Sequence, residues 1–262
     1  MGRRHAVGAR ELGHDVVVFD AADAARRRAQ ADGFSCSESW PFGADAMIIA
    51  TPASDHVGRV GAAAPDVPIL VEKPLAMRST DVLAPRQQTY VAYNWRFHPA
   101  VDVVRSVAEP LVGLELFVTT DMRNWPGSHY ADALLECSHE VDLALALAGP
   151  AYLVDAAHVG GSWILDLRHG RGCETRILID GCAASEKRGL RFQTASYDGG
   201  YDVPPTDSRS VAALAESYQL ELAEFLDAAA GRRRTAPRLA TLADGLAVLR
   251  ILDAARAAVG VD

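Results

Sequence analysis

A chain of 262 residues has room for one large domain or two modest ones, each able to bury its own core. Its formal net charge of −8 argues against nonspecific nucleic-acid binding, which needs clustered positive charge, and the runs Arg26-Arg27-Arg28 and Arg232-Arg233-Arg234 are too short to change this. Cys36, Cys137, Cys173 and Cys182 show no C-x-x-C spacing and no secretory context, and no apolar stretch approaches a membrane span, so reduced thiols, no metal site and a cytoplasmic protein are expected.

From the amino terminus, a helix ends near Leu12-Gly13-His14, and residues 15–19 form an apolar strand that closes on Asp20. A helix-prone stretch, 21–31, follows. The second unit repeats this grammar: an apolar strand at 46–50 runs into Thr51-Pro52, Ser54 caps a short helix, and the β-branched run Ile69-Leu70-Val71 makes the next strand. Strand, helix and strand in alternation predict a parallel α/β sheet with right-handed crossovers.

At the carboxyl end of that strand stands Glu72-Lys73-Pro74. A lysine there projects into the crevice where open α/β sheets bind ligands, and the proline ends the strand and biases Lys73 toward extended backbone. The ordinary alternative is a strand-ending surface lysine.

Beyond residue 92 the pattern changes. Helices are expected at 99–107 and 133–148, the second closed by Gly149-Pro150, and a strand at 114–120. Strand-like runs at 152–158, 162–168, 175–180 and 190–195, separated by glycine-containing turns, suggest a mainly antiparallel open sheet. Helices at 211–230 and 240–259 finish the chain. The expected fold class is therefore α/β: a Rossmann-like parallel-sheet domain over 1–95, then an α+β substrate and oligomerisation domain over 96–262 whose final helix packs back on the first.

A dinucleotide-binding domain normally opens with a strand and G-x-G-x-x-G, whose turn brings backbone amides to a pyrophosphate at a helix amino terminus. Met1-Gly2-Arg3-Arg4-His5 has the look of the last part of that fingerprint, with Gly2 as its final glycine. Asp20, at the end of the next strand, then stands where an acid binds a ribose 2′-hydroxyl and favours NAD over NADP. Two readings stay open: Met1 is an internal methionine of the glycine-rich turn, or the chain is truncated and has lost tight cofactor binding.

Four segments in order carry a resemblance over nearly the whole chain: Ala50-Thr51-Pro52 with His56 four residues on, Val71-Glu72-Lys73-Pro74, Tyr93-Asn94-Trp95-Arg96-Phe97-His98-Pro99, and Leu134-Leu135-Glu136-Cys137-Ser138-His139-Glu140-Val141-Asp142. They resemble the glucose-fructose oxidoreductase and inositol dehydrogenase family (Gfo/Idh/MocA). The resemblance implies hydride transfer between a nicotinamide, NAD rather than NADP, and a hydroxyl or keto carbon of a sugar, aminosugar or cyclitol, in a homodimer or homotetramer.

It implies Lys73 as the cation that stabilises a developing alkoxide and His139 as the base, with Asp142, three residues on, orienting the imidazole or touching substrate. Gly2, Arg3, Asp20, Thr51, Pro52, His56, Glu72, Lys73 and Asn94 fall to the cofactor. Lys73, Arg96, Arg123, Trp125, Tyr130 and His139 fall to the substrate. Glu136 stands where many members carry an aspartate three or four residues before the histidine, and this departure puts its direct role in doubt. The interval from Pro74 to Tyr93 and the loop before Leu134 are also compact, which weakens any specific substrate assignment. Two other classes compete: a noncatalytic relative acting as a binding or scaffold protein, and a metal-dependent hydrolase, against which stands the lack of a second histidine four residues after His139.

Overall fold

The computed structural model describes residues 1–40, 43–82, 88–121, 133–136, 138–203, 208–232 and 236–261. The first part runs α1 (Gly2–Glu11), β1 (Val17–Phe19), α2 (Asp23–Ala31), β2 (Ser35–Ser37), β3 (Met47–Ile49), α3 (Ala53–Ala62), β4 (Ile69–Glu72) and β5 (Thr89–Ala92). β1 pairs β2, and β3 pairs β4 and β4 pairs β5, all parallel, as the alternation predicts. Ile69, Leu70 and Val71 are fully buried, the expected state of a strand covered on both faces.

β1–β2 and β3–β4–β5 are separate sheets. A doubly wound sheet places its first strand between the positions held here by β1 and β3. Among the described residues no strand bridges them, and Val17 of β1 is 56% exposed.

The second part follows a 3-10 turn at Asn94–Phe97 with α4 (Pro99–Arg105), β6 (Gly113–Asp121), α5 (Ala133–Glu136), α6 (Ser138–Ala148), β7 (Ala151–Val159), β8 (Ser162–His169), β9 (Glu174–Asp180), β10 (Cys182–Gln193), β11 (Asp198–Val203), α7 (Ser208–Ala229), β12 (Ala240–Thr241) and α8 (Leu242–Val259). Six strands form one sheet in the order β11-β10-β6-β9-β8-β7. It is antiparallel except between β6 and β9, so the mainly antiparallel second sheet is present. The helix expected at 133–148 is described as two, with Cys137 outside the described residues. The helix expected at 240–259 starts two residues later, because Ala240 and Thr241 pair antiparallel with β5. Thr241 then caps α8: its hydroxyl accepts from the Asp244 amide, and the Asp244 carboxylate accepts from the Thr241 amide at 2.8 Å.

Both terminal helices, and not only the last, pack back on the first part. α7 lies against α1 and the Asn94–Phe97 turn, burying Leu222 and Phe225 with Leu70, Ala92 and Phe97. α8 lies between β5 and the second domain's α6 and β7. Its approach needs Gly245, where a Cβ would stand 2.7 Å from Cγ2 of Val91. No helix of the described residues is long and apolar enough to cross a membrane.

His98 fixes the start of α4. Its Nδ1 accepts the Ala100 amide at 3.2 Å and caps α4, while its ring stacks on Trp95 with centroids 4.8 Å apart. Burial, reinforced by the nearby Arg188 charge, pushes its pKa down to about 4. A folded-state value below the unfolded one gives stability that is present above about pH 6.5 and lost as the pH falls toward about 4, because the unfolded chain takes up the proton first. Urea midpoints at about pH 7 and about pH 4.5 are therefore expected to differ less in His98→Asn, which keeps a capping acceptor, than in the wild type. Equal acid sensitivity in the two proteins would count against a neutral buried His98.

Candidate active site

β4 ends in Glu72, and the chain turns through a cis Lys73–Pro74 peptide bond at the carboxyl edge of the parallel sheet. Glu72 is buried. Its Oε1 lies 2.7 Å from His5 Nε2 on α1, and its Oε2 accepts the Lys73 amide at 3.2 Å. Burial pushes the Glu72 carboxyl up, but hydrogen bonding and charge from His5, with Lys73, outweigh it and the net direction is down. Glu72 is thus an ionised brace for the Lys73 turn. Lys73 reaches across to α5, where Nζ donates to Glu136 Oε2 at 2.5 Å and to the Glu136 carbonyl at 3.4 Å. The side chain keeps 16% of its surface exposed.

His139 is one turn further along, in the first turn of α6. It is buried, stands edge-on to Tyr93 with ring centroids 5.6 Å apart, and its Nδ1 has no hydrogen-bond partner among the described residues. Burial, then the charges of Lys73 and Arg188, hold its pKa well below the ordinary imidazole value, so the ring is neutral near pH 7.

Asp142 was expected to orient the imidazole or touch substrate, and Arg96 to touch substrate or form an ion pair. The two pair with each other: Nε and Nη2 of Arg96 donate to the two Asp142 carboxylate oxygens at 2.8 and 2.7 Å, and Nη1 lies 3.5 Å from Asp244. Asp142 has no exposed surface, so the pair positions α6 against the Asn94–Phe97 turn. Burial pushes the Asp142 carboxyl up to about 6 even though Arg96 opposes it.

A third pair was not anticipated. Arg188 on β10 places Nε 2.6 Å from Glu140 Oε1 and lies over the Trp95 ring at 4.7 Å. Its signal in the sequence is a charge on the face of β10 that also carries the buried Leu190 and Phe192. Glu136, Glu140 and Asp142, all on the segment that carries His139, are therefore each held by a cation from a different element.

On the cofactor side, Gly2 opens α1 at the end of β3, its Cβ position 3.6 Å from the Ala50 Cβ. Asp20 ends β1 and accepts the Ala22 amide through one carboxylate oxygen at 2.8 Å. Arg3 is exposed and paired with Asp32 at 2.7 Å. Both ring nitrogens of the buried His56 are committed, one to the Pro74 carbonyl and one to the Thr51 carbonyl, each at 2.8 Å, so it shapes the turn at Thr51 and Pro52. Asn94 donates to Ser217 Oγ at 2.8 Å. The Asn94 Oδ1 and Thr51 Oγ1 atoms are buried without partners among the described residues. An acid at the end of β1, a helix amino terminus at the end of β3 and these two unsatisfied oxygens fit the ribose, phosphate and amide groups of a nicotinamide dinucleotide. Arg123, Trp125 and Tyr130 lie outside the described residues. Among the described residues no three His, Cys, Asp or Glu side chains converge to hold a metal ion.

No protein-family model and no curated protein matches the chain. Solved structures do. The chain is similar to UDP-N-acetylglucosamine 3-dehydrogenase from Acidithiobacillus ferrooxidans, with TM-score 0.74 at 22% identity over 98% of this chain and 94% of that one. It is also similar to a myo-inositol dehydrogenase from Corynebacterium glutamicum, with TM-score 0.79 at 20% identity over 99% and 93%. A third is the WlbA dehydrogenase from Bordetella pertussis, in complex with NADH and UDP-GlcNAcA, with TM-score 0.75 at 18% identity over 98% and 93%. The chain shares the fold of these dehydrogenases along nearly its whole length.

Proposed function

We propose that this chain is an NAD-dependent oxidoreductase of the Gfo/Idh/MocA type, acting on a hydroxyl or keto carbon of a sugar, aminosugar or cyclitol. One observation carries the reading: a cation fixed at the end of a central parallel strand, Lys73, beside a neutral buried imidazole, His139, on the facing helix. Oxidising a secondary alcohol takes one proton and one hydride from it. His139 accepts the hydroxyl proton, and Lys73, steadied by Glu136, donates a hydrogen bond to the oxygen as negative charge develops there. In the reductive direction the same groups return the proton and polarise the carbonyl. A bound nicotinamide supplies the hydride acceptor or donor.

Asp20, the amino terminus of α1 at Gly2, Thr51, Pro52 and Asn94 are the residues that would hold the dinucleotide, and the acid at Asp20 favours NAD over NADP. Asp142 and Glu72 act through Arg96 and Lys73 as positioning residues. The exposed Tyr152, Val154 and Ile164 of the open six-stranded sheet support a homodimer or homotetramer, and a cytoplasmic site would give access to the NAD pool.

A noncatalytic binding role is the second reading, favoured by the break between the β1–β2 and β3–β4–β5 sheets. One assay separates them: NADH formation from NAD+ with a panel of aldoses, uronic acids, nucleotide-linked aminosugars and cyclitols, and the reverse reaction with their keto forms. Turnover with at least one compound, lost in His139→Asn at unchanged circular dichroism, is expected. No turnover in either direction with NAD or NADP would leave the noncatalytic role.

A further inference from the structure

We propose that Arg188 is a positioning residue for His139: it closes the third clamp on the helical segment that carries the imidazole and sets a cation beside it. The proposal rests on the reading of His139 as proton acceptor. Lys73 holds Glu136 before His139, and Arg96 holds Asp142 after it. Arg188 on β10 forms an ion pair with Glu140, the residue next to His139, its Nε 2.6 Å from Oε1 but outside hydrogen-bond geometry. Its guanidinium lies over the Trp95 ring, which is stacked in turn on His98, so the cation has a built seat and not a flexible tether.

A buried ion pair is a poor stabiliser, and two apolar side chains of similar volume would fasten α6 to β10 as well. They would not place a fixed positive charge near the imidazole. The groups facing His139 are Lys73 from the end of β4, with its partner Glu136 from α5, Tyr93 from the end of β5 and Arg188 from β10, while Glu140 and Asp142 flank it on its own helix. Of these groups, the charges that act on the His139 ring are Lys73 and Arg188, and both disfavour its protonation beyond what burial does.

The test is a pH titration of the His139 imidazole by proton-carbon NMR, assigned with His139→Gln, in the wild type, in Arg188→Lys and in the double variant Arg188→Met/Glu140→Leu. The double variant removes both charges together, so no lone buried carboxylate is left to unfold the protein. The expected result is a titration midpoint that moves up in the double variant and stays near the wild type in Arg188→Lys. An unchanged midpoint in the double variant would overturn the proposal. This readout needs no substrate, so it decides the role of Arg188 even if the dehydrogenase reading fails. With a substrate in hand, the acid limb of the kcat–pH profile should move up together with the imidazole midpoint in the double variant, with KM nearly unchanged. A rise in KM at constant kcat would make Arg188 a substrate contact and also overturn it.

Discussion

Lys73→Met is expected to lower kcat on the order of 10³-fold while leaving the affinity for NAD nearly unchanged. The reason is where the charge sits. The ammonium stands at the carboxyl edge of β4, 2.5 Å from Glu136 and within electrostatic reach of His139, and among the described residues the nearby Arg96 and Arg188 are each paired with another carboxylate. Methionine keeps the length of the chain and removes the donor. Because the change strips Glu136 of its partner, Lys73→Met/Glu136→Gln should be measured beside it, and both should show the same loss in kcat. Turnover within tenfold of the wild type in the double variant would remove Lys73 from the chemistry.

Arg96→Met is expected to cost about 3 to 5 kcal/mol of stability, because it leaves a fully buried carboxylate without either of its hydrogen bonds. Arg96→Met/Asp142→Leu should recover most of that, since the expense lies in the unpaired charge and not in the lost attraction. The sign of the pH dependence follows from Asp142. A folded-state pKa already raised to about 6 by burial rises further once Arg96 is gone, so the stability of the single variant falls as the pH rises from the unfolded carboxyl range through the folded value. The deficit against the wild type, read from urea midpoints, should be larger at about pH 8 than at about pH 5. An equal deficit at both would mean that Asp142 is not the group left exposed to the penalty.

The alternation of strands and helices was legible because β1, β3 and β4 are short apolar runs with their own turn signals, and Ile69-Leu70-Val71 is as buried as such a run should be. β2 and β12 were not, because Ser35-Cys36-Ser37 and Ala240-Thr241 contain no apolar run and their pairing is settled by other strands. In the site, Lys73 was visible because a strand end fixes its direction. The pairing of Arg96 with Asp142 spans 46 residues, so a sequence read locally offers an ion pair for Arg96 without naming its partner and gives Asp142 to the imidazole or the substrate. Glu136 shows the opposite case: its departure from the expected aspartate put its role in doubt, yet it is the residue that Lys73 holds. Arg188 escaped notice because only the order of the six-stranded sheet brings β10 over α6, and nothing near it in the chain marks a site.

The most direct test of the account is calorimetric titration of NADH and NADPH into the 262-residue chain, with Asp20→Ala alongside. The account predicts saturable binding of NADH, weaker binding of NADPH and loss of the difference in Asp20→Ala. Absence of binding by either dinucleotide would contradict the claim that these residues form a nicotinamide site.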